Sequence, residues 1–131
     1  MIVLDTHALL WWVSGSARLS ARARRELDKA LRRGPVAASA ISLFEISTAV
    51  RRGRLDLGLP VREWLAELQR IAELRIEPVG AHIALAAGSL ANSIPGDPAD
   101  RIIAATAISL RARLITADAK LRKSPHVESV W

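Results

Sequence analysis

Short apolar runs alternate along the chain with longer segments whose apolar residues repeat with the period of a helix. The short runs predict buried strands and lie at residues 2–4, 36–38, 76–79 and 114–115. The longer segments predict helices and lie at residues 19–31, 41–50, 61–74, 81–90 and 98–110. Residues 127–131 are predicted to add an edge strand. Strands that alternate with helices predict an α/β fold, in which helices cover both faces of a parallel sheet.

The size and composition of the chain suit one compact domain over residues 1–131. Half of the 131 residues are hydrophobic and 24% are charged, which excludes a disordered or fibrous protein. The apolar start of the chain lacks the basic lead and cleavage site of a signal peptide. No uncharged stretch approaches the roughly 20 residues of a membrane span. Since the chain also has no cysteine, we expect a cytoplasmic protein without a membrane segment.

The positive net charge of the chain is concentrated in one segment. Nineteen basic residues stand against 13 acidic ones, a net charge of +6. Residues 18–33 hold seven basic and two acidic residues, which accounts for +5 of that total. Such a segment is typical of a surface that binds nucleic acid or an acidic protein, and equally of a solvated helix face. Both interpretations stay open at this point.

Two aspartates stand at the ends of predicted strands. Asp5 directly follows the apolar run at residues 2–4, and Asp118 closes the segment that begins with the run at 114–115. Because the carboxyl ends of parallel strands meet at one edge of a sheet, where ligands bind, we expect both side chains at that edge. Asp is also a favoured N-cap residue, and this is the alternative explanation for each aspartate taken alone.

Glu45 is the only charged residue in the predicted helix at 41–50. An ionised carboxylate among apolar side chains is costly unless a cation neutralises it. A capping box from Ser42 to Glu45 is the alternative explanation. Ser39 is an equally good cap, however, and a helix that begins there puts Glu45 in the second turn and lets Phe44 join the buried face. We therefore favour a functional role for this carboxylate.

Asp97 and Asp100 open the predicted helix at 98–110, with Pro98 at its first position. Capping and helix-dipole interactions alone explain both acids. Two carboxylates on one helix start nevertheless also form a rigid platform for a ligand.

Together these acids predict a divalent-metal site at the carboxyl edge of the sheet. Carboxylates that converge repel one another unless they are protonated or neutralised. Hard oxygen ligands, in a chain with no cysteine and three scattered histidines, suit Mg²⁺ or Mn²⁺. The chemistry that such a site implies is metal-assisted attack on a phosphodiester.

Four segments, in this order and at this spacing, resemble the PIN-domain family, and in particular the VapC-type ribonuclease toxins of type II toxin–antitoxin modules. They read LDTHALLWW at 4–12, SLFEI at 42–46, DPADRIIA at 97–104 and LITAD at 114–118. The resemblance covers essentially the whole chain. It implies a PIN-like three-layer α/β/α sandwich with a short central parallel sheet. Phe44, where this branch often has Trp, and the apolar lead at 94–96 are small departures that leave the carboxylates intact.

The resemblance also implies the roles of individual residues. The catalytic and metal-binding quartet would be Asp5, Glu45, Asp100 and Asp118. Residues in supporting positions would be Asp97, Thr6 and Thr116. The chain would then be an Mg²⁺- or Mn²⁺-dependent endoribonuclease toxin that cleaves RNA phosphodiesters with a metal-activated water. It would form a homodimer, and a cognate VapB-type antitoxin would inhibit it by laying a peptide across the acidic pocket.

The main alternative is a catalytically inactive PIN-like module that binds nucleic acid or a protein partner through residues 18–33. In such a module the acids serve only as helix caps. A phosphotransfer receiver fits less well, because Lys120 follows Thr116 too closely for that pattern.

Three bulky side chains near Asp5 have simpler explanations than catalysis. His7 is better explained by packing than by metal binding, since no second histidine lies at ligand spacing. Trp11 and Trp12 fit core packing, with a partner-binding anchor as the alternative.

Overall fold

The computed structural model describes residues 1–131, which form five strands and seven helices. The strands are β1 (Ile2–Leu4), β2 (Val36–Ser39), β3 (Leu74–Glu77), β4 (Arg113–Ile115) and β5 (Ser129–Val130). The helices are α1 (Thr6–Ser14), α2 (Ala21–Leu31), α3 (Ala40–Arg51), α4 (Val61–Leu68), α5 (Ala81–Ser89), α6 (Pro98–Ser109) and α7 (Ala119–Lys123). None of these helices is both long enough and apolar enough to cross a membrane.

All five strands are parallel and follow the order β3-β2-β1-β4-β5, which confirms the predicted α/β fold. The chain runs outward from β1 to β2 and β3, and then returns to the other side of β1 for β4 and β5. The direction of winding therefore reverses between β1 and β4. In sheets of this kind the reversal opens a crevice beyond the carboxyl ends of the two strands.

Alternate residues of β1 belong to two separate cores, one on each face of the sheet. Ile2 and Leu4 pack with buried residues of α1, α2 and α4, such as Leu27. Val3 packs on the opposite face, where α6 contributes Ile103 and a set of small residues. Since both faces are covered, the structure has three layers, α/β/α, as the resemblance implied.

The predicted helix at 61–74 is wrong in its second half. Helix α4 ends at Leu68, and β3 begins at Leu74, two residues before the predicted strand at 76–79. Ile71 still packs against the core from the turn between them, which explains why the helical pattern extended too far. The strand ends at Glu77 because Pro78, which has no backbone N–H, cannot continue the ladder.

Helices α1 and α7 were not among the predicted segments, and the edge strand at 127–131 is shorter than predicted. Trp11 and Trp12 are half-buried against the core, in line with the packing interpretation. The ring of Trp11 lies 5.6 Å from that of Trp131. The C-terminal Trp, which directly follows β5, thus packs against α1.

Candidate metal centre and active site

Asp5 is fixed at the junction of β1 and β4. Its backbone N–H donates to the carbonyl of Ile115, 3.1 Å away. Its carboxylate caps α1 by accepting the N–H of Ala8 on Oδ1 at 2.8 Å. The residue is only 7% exposed, which is unusual for an unpaired aspartate. The sheet and the helix start therefore hold this carboxylate rigidly at the carboxyl edge.

Asp118 lies three residues beyond the end of β4, whereas Asp5 directly follows β1, and the Asp118 side chain is exposed. It caps α7, and its Oδ1 accepts the N–H groups of Lys120 and Leu121 at 2.8 and 3.0 Å. The buried hydroxyl of Thr116 accepts the N–H of Asp118 at 3.0 Å, which fixes the turn out of the strand. Only one oxygen of the carboxylate is used for capping, so the other is free for a ligand.

The start of α6 holds two more carboxylates. Asp97 is the N-cap, and its Oδ1 accepts the N–H groups of Ala99 and Asp100 at 2.8 and 3.2 Å. Pro98 occupies the first turn, as predicted. Asp100 follows in the same turn and is half-buried.

Glu45 lies in the second turn of α3, because Ser39 caps that helix by accepting the N–H of Ile41 at 3.1 Å. The capping box from Ser42 is therefore excluded. The Thr6 hydroxyl donates to Glu45 Oε1 and also lies 2.9 Å from the hydroxyl of Ser42. Ser42 is fully buried and is a member of the site that sequence reasoning considered only as a cap.

The expectation that Phe44 joins the buried face is wrong, since this side chain is 67% exposed. The apolar pattern of α3 alone does not show which sides of this helix are covered by another element. Helix α6 packs against α3 and leaves the Phe44 flank open.

The pKa of Asp100 is raised by burial and by the charges of its acidic neighbours. Burial is the largest of the causes that together raise it to about 6, and the charges of Asp97, Asp118, Glu45 and Asp5 are the others. Burial also raises the pKa of Asp5, against hydrogen bonds from the Thr116 hydroxyl and the Ala8 N–H, and the charge of Asp118 adds to the increase. The other four carboxylates therefore lie close enough to Asp100 for their charges to act on it.

The donor chemistry of this crevice fits a divalent cation. Its candidate ligand atoms are carboxylate and hydroxyl oxygens, and the charges that act most strongly on Asp100 are those of other carboxylates. No three His, Cys, Asp or Glu side chains stand close enough together to enclose an ion by themselves. Mg²⁺, however, keeps several waters and takes one or two carboxylates directly, so spaced oxygens around a crevice suit it.

A cavity of about 510 Å³ lies at the opposite, amino-terminal edge of the sheet. Three basic side chains line it, those of Lys29, Arg33 and Arg113. Glu26 also lines it and pairs with Lys29 and Arg113. Part of the basic segment at 18–33 thus lies away from the acids. His7 packs on Trp11, with ring centroids 5.5 Å apart, which supports the packing interpretation.

Comparison with known proteins places this architecture in a family. The family model for the PIN domain matches residues 2–126 of the chain. The chain belongs to the PIN-domain family. Over 133 aligned positions it is 38% identical to Ribonuclease VapC22 of Mycobacterium tuberculosis, and the match covers 99% of this chain and 98% of that protein. The resemblance found in the sequence is thereby confirmed.

Solved structures support the same fold for this PIN-domain protein. VapBC2 of Rickettsia felis, bound to a DNA fragment from its promoter, matches with a TM-score of 0.70 at 20% identity, covering 99% of this chain and 98% of that chain. A toxin–antitoxin complex of Klebsiella pneumoniae matches at 0.64 and 24% identity, covering 100% and 97%. FitAcB of Neisseria gonorrhoeae matches at 0.65 and 26% identity, with the same coverage.

The metal-free protein is expected to become more stable as the pH falls from 7.5 to 5.5. The folded-state pKa of Asp100, about 6, lies above its ordinary value of 3.8. The folded protein thus binds this proton more tightly, and its stability increases as the pH falls through 6. Thermal unfolding in the presence of a chelator measures the effect, and Asp100→Asn should raise the Tm at pH 7.5 by roughly 2–4 °C.

The control for this measurement is Asp28→Asn, on the exposed face of α2, which should keep the full pH dependence. An Asp100→Asn protein whose Tm varies with pH as the wild type does would contradict the proposed repulsion.

Proposed function

We propose that this PIN-domain protein is a VapC-type endoribonuclease toxin that hydrolyses RNA phosphodiesters with Mg²⁺ or Mn²⁺. Residues 1–131 would act as one catalytic unit in the cytoplasm. The observation that carries the proposal is that Asp100 is half-buried and that the charges of four other acids act on it. Helix capping alone does not require acids that repel one another, whereas a bound divalent cation neutralises this repulsion. The 38% identity to a protein named as a ribonuclease supports the same activity.

The proposed ligands are Asp5, Glu45, Asp100 and Asp118. When bound, Mg²⁺ or Mn²⁺ supplies an activated water and neutralises charge on the departing oxygen. Asp5 and Asp118 each cap a helix through Oδ1, which would leave Oδ2 for the cation. Asp100 on α6 and Glu45 on α3 add two further carboxylates. These two helices pack against each other.

Three residues hold these ligands in place rather than reacting. Asp97 caps α6 and raises the pKa of Asp100 through its charge. Thr116 orients Asp118, and Thr6 orients Glu45 through its donated hydrogen bond. Hydroxyl groups suit this task because they bind a carboxylate without neutralising it. The charge of the crevice is thus preserved for a cation.

Replacing Asp118 by Asn is expected to abolish cleavage without destabilising the protein. Asn caps a helix as well as Asp does, so α7 should remain intact while one charge is lost. The rate of RNA cleavage with Mn²⁺ should fall at least about a hundredfold, by analogy with the removal of other electrostatic groups. Asp5→Asn should behave in the same way. A fluorogenic RNA assay and thermal unfolding measure the two effects.

The matched control is Glu67→Gln on the exposed side of α4, which should cleave at the wild-type rate. EDTA should stop cleavage by the wild type. A folded wild type that binds RNA but stays inert with either ion would instead support the non-catalytic binding module.

We propose that the exposed face of α2 binds the RNA backbone. Arg22, Arg25 and Lys29 lie three or four residues apart and are exposed, so they share one face of the helix. Arg24 is different, because it turns inward and donates to the carbonyl of Ser16 at 3.0 Å. Helix α2 begins near the carboxyl edge and ends at the amino-terminal cleft, beside Arg33. A bound strand would therefore lie along the side of the sheet.

The double variant R22A/R25A is expected to weaken RNA binding and to flatten its salt dependence. Each lost phosphate contact should reduce the slope of log K against log salt by about 0.7 to 1. Fluorescence anisotropy with a labelled RNA between 50 and 200 mM salt measures the slope. The control is R62A/R70A, with Arg62 in the first turn of α4 and Arg70 in the turn that follows the helix, which removes the same charge from another part of the surface. An unchanged slope in R22A/R25A would make the α2 face an ordinary solvated surface.

We further propose a homodimer that binds a VapB-type antitoxin. The structural neighbours named above are toxin–antitoxin complexes, which supports such a partner. Trp11 and Trp12, the alternative partner-binding anchor, are half-buried against the core and offer little free surface. Leu85 and Phe44 offer more, since they are 74% and 67% exposed on two helices that flank α6. For inhibition, an antitoxin Arg or Lys would pair with the crevice carboxylates and compete with metal.

Light scattering at micromolar concentration should give the mass of a dimer, and Leu85→Glu should reduce it toward that of a monomer. The product of the adjacent antitoxin reading frame should weaken Mn²⁺ binding, measured by calorimetry, when it is bound to the wild type. A charge-reversed antitoxin Arg should lose this competition. A monomeric wild type would contradict the dimer, and undiminished Mn²⁺ binding in the complex would contradict the competition.

A further inference from the structure

Arg101 directly follows Asp100 on α6, and its guanidinium is committed to backbone carbonyls. Nε donates to the carbonyl of Ala87 at 3.0 Å, and Nη2 donates to that of Leu90 at 2.6 Å. Nη1 donates to Ile94 at 3.3 Å and reaches Ala91 at 3.5 Å. One side chain of α6 thus binds the end of α5 and the loop that connects the two helices.

Two of these carbonyls, those of Leu90 and Ile94, receive no backbone N–H. The last carbonyls of a helix have no partner within it, and the backbone here supplies only the bonds from Leu90 N–H to Ala87 at 3.4 Å and from Ile94 N–H to Ala91 at 3.1 Å. A guanidinium, with its planar fork of donors, satisfies several acceptors at once. Its positive charge also suits the negative end of the α5 dipole. Arg101 therefore caps α5 from a neighbouring helix.

The loop that Arg101 holds leads directly into the acidic crevice. It runs from Leu90 to Asp97, where α6 begins, and its one fully buried side chain is that of Ile94, at 1% exposed. Glycine and proline precede Asp97 at 95–96, so the backbone there has no regular hydrogen-bonded structure of its own. The position of Asp97 and Asp100 relative to β1 thus depends on anchors within the loop.

Arg101 forms no salt bridge with the acids of the crevice. All of its side-chain hydrogen bonds go to backbone carbonyls of α5 and of the loop that follows it. These contacts therefore act on the crevice through the backbone.

We propose that Arg101 is a positioning residue that fixes the start of α6, and with it Asp97 and Asp100, by binding the α5–α6 loop. This inference rests on the proposed metal-dependent function. Metal ligands need placement within about half an ångström, which a free loop does not provide. Loss of the guanidinium fork leaves loop carbonyls without donors and lets the two carboxylates spread under their own repulsion.

The test compares Arg101→Lys with the wild type and with Arg62→Lys, a control on the exposed side of α4. Lysine keeps the charge but cannot bind several carbonyls in a plane. Amide hydrogen exchange over residues 90–100 should accelerate at least tenfold in Arg101→Lys, while the amides of β1 and β4 stay protected. Mn²⁺ affinity, by calorimetry, should fall by roughly 10- to 100-fold, the range found for residues that orient metal ligands. A high Mn²⁺ concentration should restore most of kcat.

A second variant covers the case in which Arg101→Lys does not fold. Ile94→Val leaves Arg101 in place and loosens the same loop by one methyl group, so it should accelerate exchange at 90–100 and weaken Mn²⁺ binding to a smaller extent. Unchanged exchange at 90–100 in Arg101→Lys would overturn the inference. If the wild type binds no Mn²⁺ at all, the proposed function fails, and the exchange measurement alone decides whether Arg101 holds the loop.

Discussion

Repulsion among carboxylates at one edge of a parallel sheet is the constraint on which the rest of this structure depends. Asp100 is affected by four neighbouring acids, and its pKa of about 6 reflects both that repulsion and its burial. Three of the acids, Asp5, Asp97 and Asp118, begin helices, whose N–H groups and positive dipole ends face them. Capping is thus what lets the fold hold these charges together. Capping and ligand binding are compatible roles for one carboxylate, since it has two oxygens.

The frame behind the crevice is stiff for reasons that lie in its packing. Asp5 continues the ladder between the two central strands through its bond to Ile115. Helix α6 presents Ala104 and Ala107 to the sheet, and these small, fully buried side chains let the helix approach closely. An acid on a first turn of such a helix moves only if the loop before it moves. The weakest part of the frame is therefore the loop between α5 and α6.

Periodicity predicted most of the architecture, and its failures have physical causes. Helix α1 was missed because apolar residues lie on all its sides, and α7 because it is five residues long and mostly charged. The aspartates were predictable because each follows a strand or begins a helix, and these positions are local properties of the chain. The contact of Thr6 with Ser42 was not, since it joins residues 36 positions apart. Nor did the sequence reveal that Arg24 turns inward while Arg25 stays exposed.

The separation of charge in the fold would give the proposed metal a second role. The chain carries +6 overall, yet its carboxylates gather at one edge and much of its positive charge lies along α2 and at the opposite edge. The net charge attracts a polyanion to the surface as a whole, whereas the crevice itself repels a phosphate. Both phosphate and carboxylate are negative, so the proposed dication would serve the approach of a phosphate as well as the reaction. In the proposed function, binding along α2 and entry into the crevice would thus be governed by different interactions, the first sensitive to salt and the second to metal.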